Sequence, residues 1–160
     1  VEDGFSRRLL KRTNKMASYW NTPFDKICLG INIGEVTNWF AVRHQASSLF
    51  DVIAGGNFIK TTAGKSAWKS LIVGSVLQEN CNEEAFDIRK TSRVVNASIN
   101  LRIGMVANSE NKCNTPNTNI GFGVTVLGCH GASSLTCGNI NGICESTNTD
   151  IAAFRGIMAQ

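Results

Sequence analysis

Six cysteines in a chain of 160 residues constrain this sequence more than any other feature. They stand at Cys28, Cys81, Cys113, Cys129, Cys137 and Cys144, an even count that fits three disulfides. No two are spaced Cys-x-x-Cys, so a zinc ribbon or a thioredoxin-type site has no support. The only two histidines, His44 and His130, lie far apart in the sequence. Asn96-Ala97-Ser98 is a sequon, which marks Asn96 as a glycosylation acceptor. Cysteines and sequon together point to an oxidising setting, with the protein secreted and extracellular. Six cysteines allow 15 pairings, and the residues by themselves do not choose among them.

The length suits one domain with its own core. A net charge of +4 is small, and much of the excess sits in Arg7, Arg8, Lys11, Arg12 and Lys15. A nucleic-acid binder would spread its basic residues over a face, so none is expected as a partner. No apolar run is long enough to span a membrane. The chain opens without a secretory signal and reads as a processed product. Residues 1–16 read as a basic amphipathic arm, and residues 17–160 as a single domain.

Along the chain, Lys26 to Ile31 and Val36 to Val42 read as strands split by Gly34. Ser47 to Ala54 reads as a helix stopped by Gly55-Gly56, and Asn57 to Thr62 as a short strand. Ser66 looks like the N-cap of a second helix through Trp68, Leu71 and Ile72, ended by Gly74. Ile99, Leu101, Ile103 and Met105 alternate with polar or small residues, the pattern of a half-buried strand. Residues 108–149 are rich in Asn, Gly, Ser and Thr and hold four of the six cysteines. This segment is expected to be a long loop region held by disulfides. Ile151 to Met158 reads as a C-terminal strand closing a sheet. The fold class is α+β: a mainly antiparallel sheet, two short helices and a long cross-linked loop region.

Chemistry-bearing motifs are few. Ala63-Gly64-Lys65-Ser66 looks like the end of a phosphate-binding loop, but position 59 is Ile where that loop needs Gly. Glu83 and Glu84 are adjacent, so on a strand they face opposite ways and cannot act as an acid–base pair. No Gly-x-Ser-x-Gly elbow accompanies either histidine, and no enzyme is expected. Asn108-Ser109-Glu110-Asn111 supplies four oxygen-bearing side chains past a strand end. It fits a weak calcium loop or, more simply, a polar turn. His130, after Cys129, could anchor a ligand hydroxyl or carbonyl from a pinned loop.

Several stretches resemble fibrinogen-related and intelectin-like extracellular domains, closest to the secreted skeletal-organic-matrix proteins of corals. They include Ala17-Ser18-Tyr19-Trp20-Asn21-Thr22-Pro23-Phe24, Lys26-Ile27-Cys28-Leu29-Gly30, Leu77-Gln78-Glu79-Asn80-Cys81-Asn82, Ile120-Gly121-Phe122-Gly123 and Cys137-Gly138-Asn139. The resemblance implies calcium bound by Asn108, Glu110 and Asn111, with no organic cofactor. It also implies a sugar pocket around Cys129 and His130, with Phe122 as part of the wall and Asn139 beside it. The bonds it implies are Cys113–Cys129, Cys137–Cys144 and Cys28–Cys81. By this resemblance, residues 17–160 are a shortened fibrinogen-like domain or the C-terminal part of a larger one.

Two functions follow as expectations. The first is a secreted lectin-like domain that binds a glycan or glycoprotein, with calcium assisting. The second is a structural matrix or assembly protein, a homo-oligomer or one with a partner chain, that works by protein contacts without a sugar. A secreted hydrolase is a distant third, because no nucleophile–base constellation is present.

Overall fold

Two glycine-punctuated hydrophobic stretches near the start of the domain form a hairpin. In the computed structural model, which describes residues 17–92, 97–128, 131–133, 137–142 and 150–160, β1 (Phe24–Ile33) and β2 (Val36–Ala46) pair antiparallel. Gly34 turns the chain between them at φ 62°, a conformation glycine adopts without a Cβ penalty. The basic arm at residues 1–16 lies outside the described residues, as do Asn96, Cys129, His130 and Cys144.

The last strand, β11 (Phe154–Ala159), pairs antiparallel with the other side of β1 and completes a three-stranded sheet in the order β11-β1-β2. The expected C-terminal strand thus does close a sheet, after a short break that leaves β10 (Ile151–Ala152) in a second sheet. Alternation along β1 sends Ile27, Leu29 and Ile31 into the core with no exposed surface.

Among the described residues there are three short helices, one before β1 and two after β2. α1 (Ser18–Asn21) carries Tyr19 and Trp20 against Phe50 of α2 (Leu49–Ile53). Ser48 caps α2 by accepting from the Asp51 amide at 3.2 Å, and Ser47 donates to the Asp51 carboxylate. Hydrogen bonds from Ser47 and then Ser48 hold the Asp51 carboxyl below its ordinary range.

The next helix, α3 (Lys65–Ser70), follows β3 (Ile59–Lys60) and starts two residues earlier than a Ser66 cap would place it. Its first amides are served from another element. Glu84, on β4 (Asn80–Ser92), accepts from the Gly64 amide at 3.0 Å and from the Trp68 indole at 2.5 Å. Glu83 faces the other way and pairs with Lys90, so the two adjacent glutamates are split as strand alternation requires. Glu84→Gln puts an amide donor where a carboxylate oxygen now accepts. We expect a loss of about 2–3 kcal/mol, read as a lower urea midpoint; an unchanged midpoint would show that the two bonds add nothing.

The larger sheet runs β10-β9-β6-β5-β4-β3, all antiparallel. It comprises β5 (Ala97–Asn108), β6 (Thr118–Phe122), β7 (Thr125–Gly128), β8 (Gly131–Ser133) and β9 (Cys137–Asn141) with β3, β4 and β10. Four of these strands fall within residues 108–149, which corrects the expectation of a loop region. Every residue of β6 is buried. Thr118 of β6 and Asn139 of β9 are buried by bonding backbone, whereas neither side-chain polar atom of the buried Asn119 on β6 has a hydrogen-bond partner among the described residues. Thr118 accepts from the Gln78 amide at 3.1 Å, and Asn139 bonds both polar backbone atoms of Val76 at 2.9 Å.

The sheet folds back on itself. Asp87 in β4 has φ 50° and Gly123, between β6 and β7, has φ 61°. Lys90 reaches Glu83 of the same strand at 2.6 Å. In a straight strand those positions would stand roughly 23 Å apart, so β4 must bend. The bend makes two cores. One joins Ile27, Leu29 and Ile31 to Trp68, Phe86, Ile103 and Ile120, with the helices packed against it. The other, on the opposite face of the larger sheet, joins Ala85, Val106 and Ile140 to Ile88, Ile99 and Leu101 beyond the bend. Close approach is possible because Ala85, Gly104, Gly121 and Gly138 stand opposite one another on adjacent strands. Leu101 rests on that nearly bare backbone.

Candidate functional site

Strand alternation puts Lys26, Cys28, Gly30 and Asn32 of β1 on the face of the small sheet that points away from the core. Register sets Arg43, Ala41, Trp39 and Thr37 of β2 beside them, and Met158, Gly156 and Phe154 of β11 on the other side. Gly30 and Gly156 are therefore neighbours in the same row as Trp39. A Cβ on Gly30 would lie 2.3, 2.4 and 2.5 Å from three carbons of the Trp39 six-membered ring. Such near-equal distances mean that the ring face lies over the Gly30 backbone. A Cβ on Gly156 would meet the same ring at 2.8 Å.

The indole thus spans two strands on a floor of glycine, and Trp39 remains 46% exposed. Phe154 and Met158 flank it at 55% and 49% exposure. Lys26 and Arg43 stand directly opposite each other at one end of the face, and neither makes an ion pair with a described residue. Like charges in opposed positions repel. The three rows contain no acidic side chain to offset them. The face is therefore a flat aromatic plane next to uncompensated positive charge.

The residues expected to form a sugar pocket are not on this face. Phe122 is 1% exposed in the first core, opposite Ile103 and Cys137. Asn139 is equally buried, and both its polar atoms are spent on Val76, with a further bond to the Asn119 carbonyl at 2.7 Å. Neither can serve as a ligand contact, because a core residue offers no free surface. Cys129 and His130 lie outside the described residues. His44 packs on Phe86, with ring centroids 5.0 Å apart.

The proposed calcium loop forms a hydrogen-bonded turn. The Asn108 side chain accepts from the Ser109 amide at 2.9 Å and donates to the Lys112 carbonyl at 2.8 Å. Glu110 and Asn111 are exposed beside it. Among the described residues no group of three or more His, Cys, Asp or Glu converges.

One disulfide joins Cys81 and Cys113, with their Cα atoms 5.0 Å apart. It replaces both the Cys28–Cys81 and the Cys113–Cys129 pairings. The reason is register: Asn80 stands opposite Asn108, so the β4–β5 hairpin delivers Cys81 to the loop that follows β5. Cys28 sits in the other sheet, opposite Ala41 and Met158, and carries no disulfide. Cys137 is buried on β9; its expected partner Cys144 lies outside the described residues.

Sequence reasoning missed the Trp39 platform. The signal was Gly30 within an apolar strand, since glycine in a strand interior marks the close approach of something else. What approaches is settled only by the pairing of β1 with β2 and β11. No protein-family model, no curated protein and no solved structure matches the chain.

Proposed function

We propose that this chain is a non-catalytic, extracellular lectin-like domain that binds acidic glycans on the outer face of its three-stranded sheet. The observation that carries the reading is Trp39, laid over Gly30 and Gly156 with its other face in solvent beside Lys26 and Arg43, which form no ion pair among the described residues. A sugar ring presents an apolar C–H face that packs on an aromatic plane, while its hydroxyls stay in water. Glycine beneath the indole fixes the plane before the ligand arrives, so little order is lost on binding. A carboxylate or sulfate on the same chain would relieve the repulsion between Lys26 and Arg43. The class of ligand is the one the sequence led us to expect; the surface is a different one.

The test is a glycan array that includes uronic-acid and sulfated chains, repeated with chelator. Trp39→Ala should weaken the best acidic hit at least tenfold, about 1.4 kcal/mol, while the melting temperature stays unchanged. Lys26→Gln with Arg43→Gln should flatten the salt dependence of binding. If no glycan binds, or if Trp39→Ala binds as tightly as the parent, the proposal fails. Chelator has an effect only if the Asn108–Asn111 turn takes up calcium.

Exposed Phe154 and Met158 favour a second reading, in which the same face assembles copies of the protein without a sugar. Light scattering separates the two. A mass that falls when Phe154→Ser is introduced supports assembly, and a monomer before and after supports the glycan reading.

A further inference from the structure

The bend in the larger sheet leaves a hollow of about 320 Å³ on its solvent side. It is built by register. Arg89 of β4 stands opposite Asn100 of β5, and Asn100 stands opposite Thr125 of β7, so three polar side chains form one row. Arg102 and Asp87 line the hollow beside that row. Gly123 lines it too; a Cβ at that position would lie 2.6 Å from Cγ of Arg102, so glycine is what lets the arginine side chain lie against the backbone.

The charges in this hollow are unevenly satisfied. Asp87 is buried and both its oxygens are used. Oδ1 accepts from Nη1 of Arg102 at 2.9 Å, and Oδ2 accepts from the Gly56 amide at 2.9 Å. Nη1 of Arg102 also donates to the Ile53 carbonyl at 2.9 Å, which ties the guanidinium to the end of α2. That side chain nevertheless stays 51% exposed. Its remaining nitrogens have no partner among the described residues. Arg89 is exposed, lies against Gly56 and forms no ion pair with a described residue. Asp87 offsets Arg102, so Arg89 leaves the hollow with one net positive charge. Arg102 is held rigidly for a second contact, with the amide of Asn100 and the hydroxyl of Thr125 in the row beside it.

We propose that this hollow binds a sugar-sized organic oxyanion: one ring bearing a phosphate, sulfate or carboxylate. Two guanidinium groups suit the planar, forked contact that oxyanions make. Asn100 and Thr125 supply neutral donors and acceptors of the kind that orient hydroxyls. The volume argues for more than a bare ion. A water molecule occupies roughly 30 Å³, so the hollow holds about ten, and it falls at the lower end of the range of small-molecule sites. This site lies in a different sheet from Trp39 and does not depend on the lectin reading.

Isothermal titration of the full chain tests it with glucose 6-phosphate, galactose 6-sulfate, glucuronate, inorganic phosphate and glucose as separate probes. At least one acidic sugar should bind. It should do so at least tenfold more tightly than phosphate alone, and glucose should give no heat. Arg89→Gln should weaken that probe about tenfold, and Thr125→Val should weaken it severalfold. Arg102→Gln would also disturb Asp87, so it is not a clean variant. Trp39→Ala should leave this binding untouched, which distinguishes failure here from failure of the platform. The proposal is overturned if no acidic sugar binds, if phosphate binds as tightly as the sugars, or if Arg89→Gln and Thr125→Val both bind like the parent.

Discussion

Replacing Cys81 and Cys113 together with serine should lower the stability of the protein by about 3.5–4 kcal/mol. The estimate follows from chain entropy: the bond joins residues 32 positions apart, and a closed loop of that size restricts the unfolded chain by about this much. In a protein of this length the melting temperature should fall by roughly 8–15 °C. Chemical reduction of the parent should reproduce the drop. Cys28→Ser is the control, since Cys28 carries no disulfide and faces away from the core beside Ala41 and Met158. It should melt with the parent. Had Cys28 been bonded to Cys81, the two single serine variants would be equally damaging. A melting temperature unmoved by the double replacement, with peptide mapping that links Cys81 to Cys28, would restore the pairing the structure replaced.

A second large effect is expected at the bare row of the larger sheet. Gly121→Val should cost about 3 kcal/mol or more, at or beyond the usual range for overpacking a filled core. A Cβ at Gly121 would lie 2.5 Å from a Leu101 methyl and 2.7 Å from the Ile103 carbonyl. The side chain can move aside, but the carbonyl belongs to the paired strand and cannot. Gly121→Ala gives a milder version that can be dissected by double-mutant cycle. Leu101→Ala should rescue part of its loss, because it removes one of the two obstacles, and the coupling should be favourable. A Gly121→Ala variant that melts within a degree of the parent would mean the two halves of the folded sheet are not in contact. The result bears on the hollow as well, since the same bend carries Arg102 and Arg89 to its rim.

Local rules carried the reading of this chain a fair distance. The β1–β2 hairpin was legible because apolar stretches flank a glycine at the turn. The core of α2 was legible from its apolar residues and the Gly55-Gly56 stop after it, and much of β5 from strict alternation at Ile99, Leu101, Ile103 and Met105. The α+β class with a mainly antiparallel sheet followed from the same signals. So did the presence of a disulfide, from an even number of cysteines.

Other features had no local signature. The stretch after Ala107 looked too polar to fold, yet it contains β6 and β9, where Thr118 and Asn139 are buried by bonding backbone and glycines replace apolar side chains. Hydropathy counts polar atoms without seeing their partners. The family resemblance implied Phe122 and Asn139 as ligand contacts, but their place on buried strands takes them out of reach.

What the sequence determined by itself was the local alternatives: where the chain turns and which stretches alternate. What only the tertiary structure decided was which distant residues share a row. Cys81 meets Cys113 because β4 pairs with β5. Trp39 lies on Gly30 and Gly156 because β2 and the far end of the chain both pair with β1. Arg89, Asn100 and Thr125 line up because three strands hold one register. Strand register is set by the packing of whole faces against a core, a property of the assembled sheet that no short window of residues contains.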